Sequence, residues 1–368
     1  MTLSLYEEQI GKTGFVLEHD VSTALRKKKW TVISNKYYVD DNESTVREID
    51  LIAYKSTAVK HIRVYTALIL SCKKNESNAW ALLSRDIDRA DPNKNWQPLH
   101  AWSNDKALGY QLALPSFPTE YHQRAASTGP LDALAEPAYD IFAFQEMSRS
   151  TGAPQNDKAI FASITSLMKA QSYELNALPE RKKVPCIYHF SLLSVVDSDL
   201  VRIRFLPAGP SASFVQSEHY VANYIIRMKE EAARIRFINA SAFPGLIPDY
   251  DALHKFNCEY FLETHDAFYK DIVDDSKRLD VYLPEFQKAV SWQLHWRLYK
   301  TFNADVDTKK VDLYWDESRD SLAILTFMDQ RYVDFLNSDT ETKNTVSKAL
   351  SKIYQYKGAF HFDNDIPF

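Results

Sequence analysis

The side chains best suited to chemistry lie at the ends of two short apolar segments of the sequence. The first segment, EIDLIA at 48–53, carries two carboxylates two positions apart, Glu48 and Asp50. The second segment, TALILSCKK at 66–74, ends in a serine, a cysteine and two lysines after four apolar residues. A lysine at the end of a buried strand is costly unless a partner compensates its charge. The pattern therefore predicts a carboxylate close to one of these lysines.

Strand geometry decides which carboxylate and which lysine can meet. Successive side chains of a strand alternate between the two faces of a sheet, so Glu48 and Asp50 lie on the same face of their strand. Ser71 and Lys73 likewise lie on the same face of theirs. If the two segments are neighbouring strands, Asp50 and Lys73 converge at one edge of the sheet, where each satisfies the charge of the other. We therefore expect Lys73, and not Lys74, to point toward Asp50.

A helix and a mixed sheet are the elements that must position these groups. The segment EEQIGKTGFVLEHDVSTALRKKKW predicts a helix over 8–28 that carries Glu18 and has a basic end. Three strands follow in WTVISNKYYV, TVREIDLIAY and HIRVYTALILSC. The segment SNAWALLSRDIDRA at 77–90 predicts the next helix, and the proline-rich residues 91–135 predict a loop-rich excursion.

The rest of the chain predicts further helices and strands. An amphipathic helix is expected over 155–175, followed by strands in CIYHFSLLSVVD, LVRIRFLP, HYVANYIIRM and ARIRFINASAF. Residues 249–303 read as mostly helical, with Pro284 in a first turn and with its two tryptophans in core packing. A strand pair in VDLYWDE and SLAILTFMD precedes a closing helix with Gly358 as its C-cap.

Composition narrows the class of protein. The net charge of −5 excludes a polycation, so any contact with nucleic acid must come from local basic patches. Only eight glycines are present among 368 residues, which argues against phosphate-cradling loops. Three cysteines without a CxxC favour a reducing compartment, and no segment is apolar enough for a signal peptide or a bilayer span. We expect a soluble cytoplasmic protein with no membrane partner.

The order of these elements resembles the PD-(D/E)xK nuclease superfamily, whose members have the restriction-endonuclease-like fold. In that family a helix with Glu precedes a strand with Asp, and a third element ends in Glu-x-Lys; this chain offers Glu18, EIDLIA and SCK in the same order. The resemblance covers roughly 5–90 and extends to the helix at 156–172. It implies an α/β fold, a mixed sheet flanked by helices, with additional β-rich and helical segments. The departure is Ser71, which stands where the family has an acid.

The resemblance also implies roles for the residues of the motif. Asp50 would be the main ligand of Mg²⁺ or Mn²⁺, with help from the Cys72 carbonyl, because hard cations prefer oxygen ligands. Lys73 would position or deprotonate the attacking water, and Glu18 would orient a metal-bound water or support the lysine. Some restriction enzymes with Ser-x-Lys take the missing acid from the following helix. The candidates for this acid are Glu48, Glu76, Asp86 and Asp88. Glu48 is favoured, and Asp86 is the runner-up.

The implied function is metal-dependent cleavage of phosphodiester bonds by an endonuclease, with DNA favoured over RNA and with bacterial defence or mobile-element biology as its setting. Phosphate contacts are expected from basic residues near the cleft, namely Lys74, Lys27, Lys28 and Lys29. A homodimer or a partner protein fits the same family. Two alternatives stay open: a nuclease fold that no longer cuts and serves nucleic-acid binding or complex assembly, and a plain interaction protein.

Three segments are expected along the chain. Residues 1–175 would form the nuclease-like core, with the loop-rich insertion at 91–155. Residues 176–303 would form a β-rich and then helical region, and 304–368 would form a ββα C-terminal segment.

Overall fold

A computed structural model gives the structure of the protein and describes residues 3–40, 45–129 and 131–364. The helices are α1 Leu3–Gly11, α2 Gly14–Lys27, α3 Lys106–Leu112, α4 Phe117–Ser127, α5 Lys158–Arg181, α6 Phe243–Tyr269, α7 Ser276–Phe302, α8 Gln330–Ser338 and α9 Thr340–Ile353. The strands are β1 Thr31–Val39, β2 Val46–Val59, β3 Ile62–Lys74, β4 Asn78–Arg85, β5 Ala101–Ser103, β6 Asp140–Ser148, β7 Cys186–Asp197, β8 Leu200–Leu206, β9 Gly209–Phe214, β10 Ser217–Ile226, β11 Lys229–Asn239, β12 Val311–Asp316, β13 Ser321–Thr326 and β14 Phe360–Asn364. The protein is therefore α/β, as expected.

The chain divides into two compact units. Unit 1 comprises Met1–Asp105 and Leu112–Phe261, and unit 2 comprises Lys106–Gln111 and Leu262–Phe368. This division differs from the three segments expected from the sequence. Residues 176–261 join unit 1 because β7, β10 and β11 extend the sheet that contains β3.

The main sheet of unit 1 has the order β1-β2-β3-β7-β11-β10, with β5 paired to β7. Strands β1, β2 and β3 are antiparallel, whereas β3 and β7 are parallel. Parallel neighbours need a crossover connection, and α5 packs against both β3 and β7 after the chain has left β3. The predicted helix at 155–175 is thus confirmed as α5, which begins after Asp157. The core of this sheet includes Ile69, Leu192 and Phe237.

A second sheet of unit 1, in the order β6-β4-β8-β9, corrects one expectation. The segment 77–90 is not a helix; it forms β4, in which Trp80, Ala81 and Leu82 are fully buried. A short apolar run of this kind fits a buried strand and a helix equally well by its pattern alone. Pairing with β6 and β8 on both sides decides in favour of the strand.

The N-terminal helix is also more complex than expected. Instead of one helix over 8–28, α1 and α2 are separated at Thr13, whose backbone is extended with φ −89° and ψ 163°. Helix α2 packs on β1, β2 and β3 and buries Leu17, Val21 and Leu25. The loop-rich region expected at 91–135 contains β5, α3 and α4. The four strands expected after α5 are present as β7, β8, β10 and β11, with β9 added between them.

Unit 2 packs α7, α8 and α9 with the three-stranded sheet β12-β13-β14 around its own core. The expected pairing of β12 with β13 is confirmed. Pro284 lies inside α7 rather than in its first turn, because the helix begins at Ser276 behind the capping carboxylate of Asp275. Gly358 is not a C-cap, since α9 ends at Ile353 and the chain then enters β14.

Two tryptophans of α7 are also placed differently from the expectation of core packing. Trp292 is 70% exposed and Trp296 is 47% exposed. Across the described ranges, no helix is both long and apolar enough to cross a membrane.

Candidate active site

Two adjacent strands of the main sheet bring the candidate catalytic side chains together. Strands β2 and β3 pair antiparallel with Leu51 opposite Leu70, so Asp50 reaches the end of β3. Oδ2 of Asp50 accepts hydrogen bonds from the backbone N–H of Cys72 at 2.7 Å and from Nζ of Lys73 at 3.2 Å. The convergence expected from strand alternation is therefore present.

The two adjacent lysines at the end of β3 have different surroundings. Lys73 contacts Asp50, and the side chains of this pair are 33% and 20% exposed. Nζ of Lys74 instead donates to the carbonyl oxygen of Gly11 at 2.6 Å and forms an ion pair with Glu76 at 3.0 Å. Lys74 thus anchors the end of α1, while Lys73 stays within reach of solvent and of the acidic group.

Glu18 on α2 belongs to the same electrostatic cluster. Partial burial raises the pKa of the Glu18 carboxyl, and the charges of Asp50 and Glu48 raise it further, while Lys73 acts in the opposite direction. Because Asp50 and Glu48 oppose ionisation of Glu18, a bound cation would relieve the repulsion on that carboxylate. The cluster thus combines excess negative charge with a single ammonium group.

An irregularity of β1 lies directly across from Asp50. Ser34 pairs with Leu51 and Lys36 pairs with Ile49, but no pair joins the residue between them, Asn35, to β2. Asn35 has a left-handed backbone with φ 56°, a conformation that Asn tolerates better than most residues. Its Nδ2 donates to Oε1 of Glu48 at 2.9 Å. The break in the ladder thus turns an amide toward one of the candidate ligands.

A cleft of ≈ 300 Å³ adjoins Glu18 and lies between α2 and the start of the sheet. Besides Glu18 it is lined by His19, Arg26, Ser34 and Asn35. An imidazole, a guanidinium and an amide are groups that can contact a phosphate. Sequence reasoning missed His19, Arg26 and Asn35, since a lone His, Arg or Asn in a helix or strand has no motif. Only the position of His19 next to Glu18 in the sequence offered a signal.

The residues present fit a cation such as Mg²⁺, which keeps several of its waters, better than a cation enclosed entirely by protein ligands. No hydrogen bond is described for Oδ1 of Asp50, and Glu48 is exposed. Within the described ranges, Glu18, Glu48 and Asp50 do not bring three ligand atoms within 4.8 Å of one another. Mg²⁺ is commonly held by one or two carboxylates and keeps several waters, so this arrangement is compatible with it.

Ser71 and Cys72 contribute no side-chain ligand of the usual kind. Ser71 is buried, and its Oγ has no hydrogen-bond partner among the described residues. Burial raises the pKa of the Cys72 thiol, and the charges of Asp50 and Glu18 raise it further. The thiol therefore stays protonated, and the predicted role of Cys72 as a ligand rests on its backbone carbonyl alone.

Asp86 does not join the cluster, which corrects its expected role as a metal ligand. It follows the end of β4, is 84% exposed and forms an ion pair with Nη2 of Arg204 at 3.0 Å. β4 begins near the end of β3, where the backbone N–H of Asn78 donates to Asn75, and its eight residues span about 26 Å. The sequence predicted a helix here that would bring Asp86 back to the motif. The segment is instead strand β4, which leads Asp86 away from it.

The other predicted residues have no described contact with Glu18 or Asp50. Glu76 is bound to Lys74, and the carboxylate of Asp88 accepts from the backbone N–H of Ala90 in its own loop. Three exposed lysines lie at the C-terminal end of α2 and just after it, and this end is about 14 Å along the helix axis from Glu18. These are Lys27, Lys28 and Lys29.

Comparison of the chain with family models, with curated proteins and with solved structures finds no match.

Proposed function

We propose that unit 1 is a metal-dependent endonuclease of the PD-(D/E)xK type that hydrolyses phosphodiester bonds in DNA. The observation that carries this proposal is the contact between Asp50 and Lys73 at the end of two paired strands, with Glu18 beside them on α2. The order α2, β1, β2, β3, α5 and β7 supports the restriction-endonuclease-like fold as part of the same proposal. A cytoplasmic role in bacterial defence or mobile-element biology rests on the resemblance alone.

The proposed chemistry follows from the groups in the cluster. Asp50 and Glu48 would hold Mg²⁺ or Mn²⁺, which supplies charge neutralisation of the phosphate and a more acidic water. Lys73 is close enough to Asp50 to orient an attacking water and to balance charge as the phosphate becomes more negative. Glu18, whose pKa is raised by burial and by its acidic neighbours, can accept a hydrogen bond or a proton from that water.

A second candidate is a nuclease-fold subunit that does not cut and serves nucleic-acid binding or complex assembly. The observation that favours it is Ser71, which stands at the position of the family acid and has a buried hydroxyl without a described partner. In that case Lys73 and Asp50 would be a structural ion pair at the edge of the sheet.

A cleavage assay separates the two candidates. Plasmid, linear, single-stranded DNA and RNA substrates are incubated with Mg²⁺, Mn²⁺ or EDTA and with the wild type, Lys73→Ala or Lys74→Ala. We expect metal-dependent cleavage of DNA that falls at least about 100-fold in Lys73→Ala, because orientation of the attacking water and charge balance are lost. Lys74→Ala is the matched control and should reduce cleavage only slightly.

Two results would count against the catalytic proposal. Equal losses in the two variants would mean that the lysine pair serves binding. The subunit that does not cut would be favoured if the wild type cleaved no substrate with either metal but still bound nucleic acid in EDTA.

A further inference from the structure

Unit 1 contains a narrow pocket, partly open to solvent, whose lining includes four histidines and two arginines. The lining residues used below are His100, His122, His189, His219, Arg234 and Arg236. The volume open to the centre of a water-sized sphere is ≈ 30 Å³. One water needs roughly 10–15 Å³ on this measure, so the space suits about two waters or one small ion.

The two arginines differ in how their charges are compensated. Arg236 forms an ion pair with Asp249 at 2.9 Å. The guanidinium of Arg234 donates only to backbone carbonyls, those of Trp96, Leu134 and Ala135. Over the described ranges, no carboxylate lies within ion-pair distance of Arg234. Burial lowers the pKa of Arg234 to about 10, while the charge of Glu136 acts in the opposite direction, so Arg234 is charged at neutral pH. Glu136 is itself in an ion pair with Arg89, so Arg234 has no ion pair of its own among the described residues.

The histidines do not add to this charge. Burial, together with neighbouring histidines and Arg234, lowers the pKa of His189 to about 3. Burial and the two arginines lower the pKa of His219 to about 3, and burial with Arg234 lowers that of His122 to about 4. The rings are therefore neutral near pH 7, and Arg234 is the cation of this pocket that has no ion pair among the described residues.

Several nitrogens that belong to the residues lining this space lack hydrogen-bond partners. In the part of the chain that the structure describes, this holds for Nε of Arg234, Nε of Arg236, Nδ1 of His189, Nε2 of His122 and Nδ1 of His219. Buried donors without partners are uncommon in folded proteins and usually indicate a water or an ion. The two arginine Nε–H groups can only donate, so whatever fills the cavity must accept.

We propose that this cavity binds one small monovalent inorganic anion beside Arg234. A single negative charge matches the one guanidinium of this pocket that has no ion pair among the described residues, and holding a largely buried cation without one is costly. The small volume excludes nucleotides and sugars. His122 and His219 bond to the backbone through their other ring nitrogens, so their free nitrogens accept hydrogen bonds. These acceptors can be met by a water beside a halide or by the hydroxyl of bicarbonate.

This site is separate from the proposed catalytic cluster, and its test does not depend on nuclease activity. Thermal unfolding is measured at pH 8 in sodium chloride, bromide or bicarbonate, with sodium gluconate at equal ionic strength as a reference too large for the cavity. We expect a saturable rise in Tm of about 3 °C at ten times the dissociation constant. A response to bicarbonate alone would identify the hydroxyl-bearing anion, and a response to halides alone would identify the halide with water.

A crystal soaked in bromide locates the ion directly. We expect an anomalous peak within hydrogen-bond distance of Nε of Arg234. Bromide only at the surface, with Tm equal in all four salts, would overturn the proposal and leave a water-filled cavity.

A variant pair ties the response to the arginine. Arg234→Met should abolish the anion-dependent part of the Tm rise. Arg297→Met is the matched control, because Arg297 is half-buried in unit 2 and is paired with Asp339 and Glu341. It should lower Tm without changing the anion response. A persistent response in Arg234→Met would overturn the proposal, and if that variant does not fold, the bromide map of the wild type decides.

Discussion

Lys73 and Arg234 are two basic side chains of the same unit in opposite situations. Lys73 lies at the end of a strand, contacts a carboxylate at 3.2 Å and remains one-third exposed. Arg234 lines a narrow pocket and donates to three backbone carbonyls, without an ion pair to a described carboxylate. One cation has a carboxylate partner, whereas the other has hydrogen bonds to backbone carbonyls and no ion pair among the described residues.

The different surroundings of Lys73 and Arg234 suit the two side chains to different roles. An ion pair that solvent can reach exchanges partners at little cost, because surface pairs contribute only about 0–1 kcal/mol. Lys73 can therefore turn from Asp50 toward a phosphate or a water during a reaction. A partly buried guanidinium fixed by three backbone carbonyls cannot move in this way, so it suits a permanently bound ion. The site of Lys73 is thus suited to catalytic turnover, and the site of Arg234 is suited to holding one ion in place.

The largest effect is expected when Asp50 is changed, because it holds both Lys73 and the proposed metal. Asp50→Asn should lower metal-dependent cleavage at least about 100-fold, since an amide binds a hard cation weakly and removes the anion beside the lysine. Rates of plasmid nicking under single-turnover conditions measure this effect.

Asp86→Asn is the control for that variant. Asp86 is exposed and paired with Arg204, so its removal should leave the cleavage rate within about twofold of wild type. A loss as large as that of Asp50→Asn would restore Asp86 as the acid that replaces the one missing at Ser71.

The strand-end site was the part of the molecule open to prediction from sequence. EIDLIA and SCKK each combine a buried strand pattern with charged residues at a fixed spacing, and alternation along the strand selects Lys73 over Lys74. Local chemistry and strand periodicity were enough, because the partners lie on adjacent antiparallel strands.

The rest depended on tertiary contacts that no local pattern encodes. Trp80 and its neighbours became a strand because β6 and β8 pair with them, and this moved Asp86 out of reach. The cavity draws single residues from elements far apart in sequence, among them His122 on α4, His189 on β7 and Arg234 on β11. Each of these is unremarkable where it stands in the sequence, so nothing marked them as a set.

The buried histidines predict an acid-sensitive fold. His189 binds a proton near pH 6.5 when unfolded but only at about pH 3 when folded. Between these values the unfolded chain holds more protons, so the free energy of unfolding falls as the pH is lowered. His189→Gln should reduce this slope by about 1.4 kcal/mol per pH unit between pH 4.5 and 5.5.

Urea unfolding of both proteins in gluconate buffer measures the slope without a competing small anion. The groups that act on His189 are His122, His100 and Arg234, and the ring stacks on Tyr121. All of them oppose its protonation or are neutral, so the sign is clear. Equal slopes in the two proteins would show that His189 titrates normally and that the cavity is more open to water than its burial indicates.

Placing an acid at position 71, where the nuclease superfamily that the sequence resembles has one, tests the proposed metal site. Ser71→Glu should tighten Mg²⁺ binding about tenfold, because it adds an anionic oxygen ligand near Asp50. Calorimetric titration with Mg²⁺ measures the affinity, and Ser71→Gln controls for the larger side chain in a buried position. Equal affinities in the two variants would indicate that no cation binds beside Asp50.

The smallest effect is expected at Asn35, whose backbone and side chain contribute separately to the exposed site. Its left-handed backbone, with φ 56°, costs free energy for a residue such as alanine and none for glycine. Asn35→Ala should therefore lower the free energy of unfolding by about 1 kcal/mol, while Asn35→Gly should change it by less than about 0.5 kcal/mol. Both variants remove the hydrogen bond from Nδ2 to Glu48, so both should weaken Mg²⁺ binding equally and by no more than about threefold. Urea unfolding and calorimetry on the same samples separate the two contributions. If the glycine variant bound metal as the wild type does and only the alanine variant bound it more weakly, the amide would have no part in holding Glu48, and the break in β1 would act on the site through its backbone alone.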